Sequence, residues 1–159
     1  MSRIKLKEAL GLEANLPEAF PNNYRGQMSI THDTTLAFAA VDTYEKIVGV
    51  WEDSNLFKFT FDPDGTLTYT GPDACLLLNG VSDLQVNKAC EVTYALYING
   101  AVVPGAETPH TFTSAAKTSN IGITRICQLQ TGDTIEVYAK CDDDTAIATF
   151  KTLSITLWK

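Results

Sequence analysis

The sequence predicts one all-β domain, an antiparallel jelly-roll sandwich preceded by a short N-terminal arm or helix. Three observations predict it. From Gln27 onward apolar side chains recur at every second position, and β-branched and aromatic residues dominate. Turn signals separate these segments about every 8–12 residues. No segment after Gln27 has the helical periodicity of a crossover between parallel strands, so antiparallel pairing is expected.

Length and composition fit a single core. The chain has 159 residues, of which 45% are hydrophobic and 19% charged. A chain of this size and composition can bury enough apolar surface to offset the entropy of ordering it. We expect two parts, an arm and linker over residues 1–25 and the jelly-roll domain over residues 26–159.

The N-terminal arm is the one segment with helical spacing. Leu6, Ala9 and Leu10 fall on one helical face. A helix this short is marginal alone in water, so its leucines need a surface to pack against. Pro17 and Pro21 then indicate a linker.

Two turns fix the expected order of strands. Asn99-Gly100 is typical of a tight type I′ hairpin, because both central positions need positive φ. The run 62–65, Asp-Pro-Asp-Gly, suits a type I turn. Strands are expected near residues 27–31, 35–41, 44–51, 56–61, 66–70, 75–81, 90–98, 101–103, 110–115, 120–129, 134–141 and 146–158.

Aromatic residues are divided between core and surface. Phe57, Phe59 and Phe61 alternate on one predicted strand, which is typical of a sandwich core. Trp51 and Trp158 stand at predicted strand ends, where they could be exposed and stack on a sugar. Two tryptophans alone do not define a sugar-binding site.

Some strands carry uncharged residues on both faces. In the strand at 90–98 the second face holds Thr93, Ala95 and Tyr97, and in the last strand it holds hydroxyl residues and Trp158. Such faces either contact another subunit or remain solvated.

Charge and hydropathy exclude two classes of partner. With 12 Lys+Arg and a formal net charge of -7, the chain lacks the clustered cations of a nucleic-acid-binding protein. Its apolar stretches are far shorter than the roughly 20 residues that span a bilayer, and no secretion signal is evident. We expect neither a nucleic-acid nor a membrane partner, and synthesis in a cytoplasm.

Residues capable of catalysis are few. His32 lies in a predicted turn, and His110 follows Pro109 in a loop at the start of the strand predicted near 110–115. Both lie outside any catalytic motif, so we expect no enzyme and no cofactor. The run Asp142, Asp143 and Asp144 could weakly bind calcium, although a solvated turn is the simpler interpretation.

The four cysteines show no zinc-ligand spacing. They are Cys75, Cys90, Cys127 and Cys141, and no C-x-x-C pair occurs among them. We expect buried free thiols in a protein made in a reducing compartment.

Several segments resemble a module found in many phage structural proteins, related in architecture to the complement-type globular head and the tumour necrosis factor jelly roll. The matching segments are 26–30 (GQMSI), 67–71 (LTYTG), 94–100 (YALYING), 129–137 (LQTGDTIEV) and 153–157 (LSITL). The resemblance implies a homotrimer displayed on a virion, with strands near the C-terminus around the threefold axis. Ala95, Tyr97 and Trp158 are then the candidate trimer-interface residues.

The sequence therefore predicts a trimeric capsid decoration (cement) protein that binds the major capsid protein or another virion component through its arm. The arm is basic whereas the rest of the chain is acidic, so the arm could be drawn to an acidic capsid surface. Its apolar side chains would add further contacts. The candidate capsid-binding residues are Arg3, Lys5, Leu6, Lys7, Leu10, Leu12 and Phe20. Two alternatives stay open: a tail or head fibre knob for host adsorption, which would need an exposed loop such as 103–109 or the turn at 142–144, and a carbohydrate-binding module.

Overall fold

A computed structural model describes residues 24–159, and all the regular structure there is β. Among these residues there is no helix that could cross a membrane. The strands are β1 (Arg25–Ile30), β2 (Thr34–Ala37), β3 (Glu45–Lys46), β4 (Trp51–Phe57), β5 (Phe59–Asp62), β6 (Thr66–Tyr69), β7 (Ala74–Val86), β8 (Cys90–Ile98), β9 (Ala101–Phe112), β10 (Thr118–Leu129), β11 (Thr134–Cys141) and β12 (Ile147–Trp158). The predicted all-β class is confirmed.

The strands form two antiparallel sheets that pack face to face. The first sheet has the order β10-β7-β12-β1-β4, and β2 also pairs with β12. The second has the order β5-β6-β11-β8-β9, and β3 also pairs with β11. The first and last strands, β1 and β12, are hydrogen-bonded neighbours inside the first sheet. This is the predicted jelly-roll sandwich.

The core lies between the sheets and follows the two-residue period of the sequence. Burial alternates along β7, where Leu76, Leu78 and Leu84 have no exposed surface. From the second sheet Tyr94 and Leu96 face them and are equally buried. Each such side chain contributes about 1.5–3 kcal/mol by leaving water, so the alternation fixes which face of each strand meets solvent.

Both predicted turns are present. Asn99 and Gly100 have φ of 53° and 73°, as a type I′ turn between β8 and β9 requires. Gly65 has φ of 87°, and its N–H donates to the Asp62 carbonyl over 3.0 Å, closing the turn between β5 and β6.

The predicted strand over residues 56–61 is wrong in one respect. Lys58 adopts φ of 66° and separates β4 from β5. Phe57 consequently leaves the core and is 53% exposed, whereas Phe59 is buried. Trp51, a candidate for exposure at a strand end, is buried, and its indole N–H donates to the Ile47 carbonyl over 3.3 Å.

The expected loop at 103–109 is also wrong, because β9 continues through it. The strand lies at the edge of the second sheet, where missing proline N–H groups are tolerated. Gly105, at φ 71°, lies where the pairing register shifts. His110 therefore lies in a strand, with its ring edge-on to Phe112 at 4.7 Å. Conversely, the strand predicted at 44–51 is interrupted: Glu45–Lys46 form the short β3, and Trp51 already belongs to β4, where it pairs with Ile30.

Candidate functional site

One sheet face carries few charged side chains, with Asp83 on β7 and Glu52 at the β4 edge as its acidic residues. We call the solvent side of the first sheet the hydroxyl face, because threonine, serine and amide side chains dominate it. Its strands are in register, so that Thr124, Asn79, Thr156 and Gln27 form one row across β10, β7, β12 and β1. The next row consists of Gly122, Val81, Ser154 and Ser29.

The polar groups of the hydroxyl face bond to one another. Thr124 Oγ1 donates to Asn79 Oδ1 over 3.0 Å. The carboxylate of Asp83 accepts from Asn120 Nδ2 and from Thr152 Oγ1, each over 2.9 Å, and these bonds lower its pKa. Side chains whose hydrogen bonds are made within the face form an ordered surface. Another protein surface can cover it and leave few polar groups without a hydrogen-bond partner.

An apolar row borders the hydroxyl face at one end. Ile126, Leu77, Trp158 and Phe57 occupy successive strands there, with Arg25 of β1 between Trp158 and Phe57. Ile126 is 74% exposed and Trp158 38%. An open pocket of about 410 Å³ lies beside Arg25 and Trp158. Exposed apolar side chains aligned in this way mark an interaction surface.

A second concave surface runs along the edge of the sandwich where β9 meets β10. This edge groove has a volume of about 390 Å³, and Val102, Val103, Pro104 and Ile126 supply its apolar wall. Ile126 therefore belongs both to the apolar row and to the edge groove. The two surfaces are continuous around this edge.

Aromatic rings cluster on the outer side of the second sheet. Tyr97 and Tyr138 stack at 4.0 Å, and Tyr44 meets Tyr97 edge-on at 5.6 Å. We call these three residues the tyrosine cluster. The Tyr44 hydroxyl donates to Glu107. Burial, as the larger cause, and this hydrogen bond both raise the pKa of the phenol. Lys140 places its ammonium group 5.0 Å from the Tyr44 ring. The cluster therefore offers both ring faces and charged groups.

The structure does not bring the three candidate trimer residues together. Ala95 and Tyr97 lie on β8 in the second sheet, whereas Trp158 lies on β12 in the first. Ala95 has no exposed surface, because the neighbouring strands place Tyr138 and Glu107 on either side of it. Of the three, only Trp158 lies in the first sheet, which carries the hydroxyl face.

We call residues 142–144 the acidic turn. Two of its carboxylates, those of Asp142 and Asp143, stabilise the turn through bonds to neighbouring groups. Asp142 Oδ1 accepts the Glu91 N–H over 2.8 Å. Asp143 accepts from the Thr145 N–H and hydroxyl and pairs with Lys88 at 2.6 Å. The ion pair with Lys88 and the Thr145 bonds lower the pKa of Asp143 to about 2. Within residues 24–159, the three aspartates do not converge as one set of ligands.

The two histidines lie apart. His32 lies in the exposed turn after β1, where Nδ1 is 3.0 Å from Thr31 Oγ1. Within the described part of the chain, neither His32 nor His110 is paired with a carboxylate. The residues predicted to bind a capsid, from Arg3 to Phe20, lie outside the described residues.

Sequence reasoning did not identify Ile126 or Tyr138 as surface residues. Ile126 stands among small polar residues in β10, and its exposure depends on the pairing with β7 that turns it outward. The only available signal was the lack of charge at alternate positions 120, 122, 124, 126 and 128.

Comparisons with known proteins show the fold. No protein-family model and no curated protein sequence match the chain. Among solved structures it is similar to Eiger TNF from S. frugiperda, with a TM-score of 0.59 and 11% identity, over 87% of this chain and 93% of that one. It is also similar to murine APRIL in a crystal structure at pH 5.0, with a TM-score of 0.60 and 11% identity, over 84% and 98% of the two chains. The chain therefore has a TNF-like jelly-roll fold.

Proposed function

We propose that this chain is a non-enzymatic virion structural protein of a bacteriophage, a homotrimeric capsid decoration protein attached by the arm at residues 1–25. The observation that carries the proposal is the hydroxyl face beside the apolar row, on which small and hydroxyl residues far outnumber charged ones. A free sheet face normally carries lysine and glutamate, whereas this one carries the small and hydroxyl residues of a contact surface. The resemblance to phage modules of this fold supports the virion setting.

Assembly would join two different surfaces of neighbouring copies. The hydroxyl face is built of small and hydroxyl residues, and the edge groove beside it is concave and apolar, with Ile126 at their border. A head-to-tail contact between unlike surfaces closes into a ring when each copy is rotated by a third of a turn. Packing the edge of one sandwich on the hydroxyl face of the next would cover Ile126 and Trp158. The trimer is then built mainly by the first sheet.

The mass of the full chain in solution is the first test. Light scattering after size exclusion is expected to give three times the 17.3 kDa of one chain, at all concentrations within the micromolar range. A stable monomer would contradict the trimer and leave the hydroxyl face solvated.

A pair of arginine variants tests which surface assembles. Ser154→Arg places a charge in the middle of the hydroxyl face, and in a closed ring it desolvates three equivalent cations, at a cost of several kcal/mol. We expect monomers. The matched control is Thr60→Arg on the exposed side of β5, which should remain trimeric. If Ser154→Arg assembles as the wild type does, the hydroxyl face is not the interface.

The virion role is tested with the arm. Removing residues 1–22 should leave a trimer that no longer sediments with virions lacking their own decoration protein. Charge reversal at Lys5 and Lys7 should weaken the same binding, most strongly at low salt, because exposed charges are screened as salt rises. If the truncated chain sediments with virions as the full chain does, the arm does not attach it.

The tyrosine cluster favours glycan binding as a second candidate function. Stacked rings next to Glu107 and Lys140 can present an apolar platform and polar groups to a sugar. Binding to a panel of bacterial surface polysaccharides, lost in Tyr97→Ala and kept in Ser154→Arg, would support this function. No binding to any member of the panel would remove it.

A further inference from the structure

Three metal-ligating side chains meet at one end of the seam between β8 and β11. Cys141 lies opposite Val92 in the antiparallel register, so Cys90 is its diagonal neighbour on the same, core-facing side. Asp142 follows directly, at the start of the acidic turn. The two Sγ atoms and one carboxylate oxygen of Asp142 all lie within 4.8 Å of one another. The fold thus gathers a donor set that the spacing of 51 residues between the cysteines does not suggest.

The distances suit a tetrahedral cation. With metal–sulfur and metal–oxygen bonds of about 2.3 and 2.0 Å, sulfur and oxygen ligands stand roughly 3.5 Å apart. Cys141 Sγ is 3.7 Å from Asp142 Oδ1. The Lys88 carbonyl oxygen is 3.6 Å from Cys90 Sγ, so a fourth oxygen lies close by. The separation of Cys141 Sγ and Asp142 Oδ1 thus matches that of two ligands of a tetrahedral ion, and all three donor atoms lie within 4.8 Å of one another.

We propose that Cys90, Cys141 and Asp142 bind a thiophilic divalent cation of the zinc type, with water or the Lys88 carbonyl as fourth ligand. Two sulfurs and one carboxylate select a borderline-soft ion such as Zn²⁺ over Ca²⁺ or Mg²⁺, which take oxygen ligands. Each thiol releases its proton to solvent as its sulfur–metal bond forms. The cation would link the start of β8 to the end of β11.

The surroundings support the assignment. The N–H of Glu91 donates to Asp142 Oδ1 and holds that carboxylate in place, as supporting hydrogen bonds of metal ligands do. Asp142 is exposed whereas Cys90 and Cys141 are buried, so an ion can enter from the solvent side. A thiol must lose its proton to bind the ion, so the affinity should rise with pH.

Titration of the full chain with Cd²⁺ tests the site, because cadmium thiolates absorb in the ultraviolet. The protein is kept reduced with a phosphine. We expect one Cd²⁺ per chain, displaced by Zn²⁺ in excess. Cys90→Ser and Cys141→Ser should each weaken binding by more than the roughly 10- to 100-fold typical of losing a supporting hydrogen bond. Asp142→Asn should weaken it by about tenfold and keep the thiolate absorption.

The matched control is Cys75→Ser, because Cys75 is exposed on β7 in the first sheet and should leave binding unchanged. Asp142→Asn is a ligand variant that should keep the local fold, because the amide oxygen can still accept the Glu91 N–H. Zn²⁺ should also raise the Tm of the wild type and not that of the Cys90→Ala variant. The proposal is overturned if no thiolate absorption appears, if Cys75→Ser abolishes it, or if a variant lacking both Cys90 and Cys141 retains it.

Discussion

A buried phenol gives the sharpest prediction about stability. Tyr94 on β8 has no exposed surface, and its hydroxyl has no hydrogen-bond partner within residues 24–159. The hydroxyl reaches across the core to the opposite sheet, where a Cβ at Gly80 would lie 3.0 Å from it. Burial raises the pKa of this phenol, so it stays protonated. An unpaired buried hydroxyl costs about 1–3 kcal/mol.

Replacing Tyr94 by Phe should therefore stabilise the protein. The change removes the desolvated hydroxyl, and the lost packing against Gly80 offsets part of the gain. We expect an increase of about 1 kcal/mol in the free energy of unfolding. Tyr69→Phe is the matched control, because Tyr69 is equally buried but donates to the Pro72 carbonyl over 2.6 Å. That variant should lose about 1 kcal/mol.

Urea unfolding followed by fluorescence measures both variants at one protein concentration, because an assembling protein has a concentration-dependent midpoint. The two substitutions should shift the urea midpoint in opposite directions, and the dependence of the unfolding free energy on urea concentration should not change. A loss of 1 kcal/mol or more in Tyr94→Phe would refute the reasoning and mean that the hydroxyl is bonded, for instance to a trapped water.

Three further changes are expected to act through single contacts. Gly26→Ala should destabilise the fold by about 1–3 kcal/mol in the same assay, because its Cβ would stand 2.8 Å from the Phe59 ring. Gly100→Val should lower the free energy of unfolding by about 1 kcal/mol or more, since a β-branched residue resists φ of 73°. An unchanged urea midpoint would contradict the type I′ turn at this position. The lowered pKa of Asp143 stabilises the fold above pH 3.8, and this contribution is lost as pH falls through about 2. Asp143→Asn should accordingly lower Tm at pH 6, and this effect should shrink as the pH falls through about 2.

The sequence predicted local features that depend on neighbours in the chain. The Asn99-Gly100 hairpin and the alternation in β7 follow from residue type and period, and both are present. The exposure of Phe57 was missed because nothing in the sequence marks Lys58 as the left-handed residue that breaks the strand. The continuity of β9 was missed because proline is excluded from a central strand but not from an edge.

The composition of the surfaces was harder to predict than the fold. The uncharged second face of β12 was visible in the sequence, but its partner rows on β7 and β10 depend on which strands pair. Cys90 and Cys141 meet only because β8 and β11 are neighbours in a particular register. One sequence contains no direct signal for pairing between distant strands, so sites assembled from several strands require the structure.

The course of β9 has a consequence for how this protein behaves at high concentration. An outermost strand of twelve residues would ordinarily invite strands from other molecules to add to it and grow into aggregates. Pro104 and Pro109 supply no N–H for such pairing, and the left-handed Gly105 bends the backbone between them. Continuous main-chain pairing along this edge is thereby interrupted. We expect the chain to remain clear in solution and to resist fibril growth, and Pro109→Thr to bind amyloid dyes sooner under agitation.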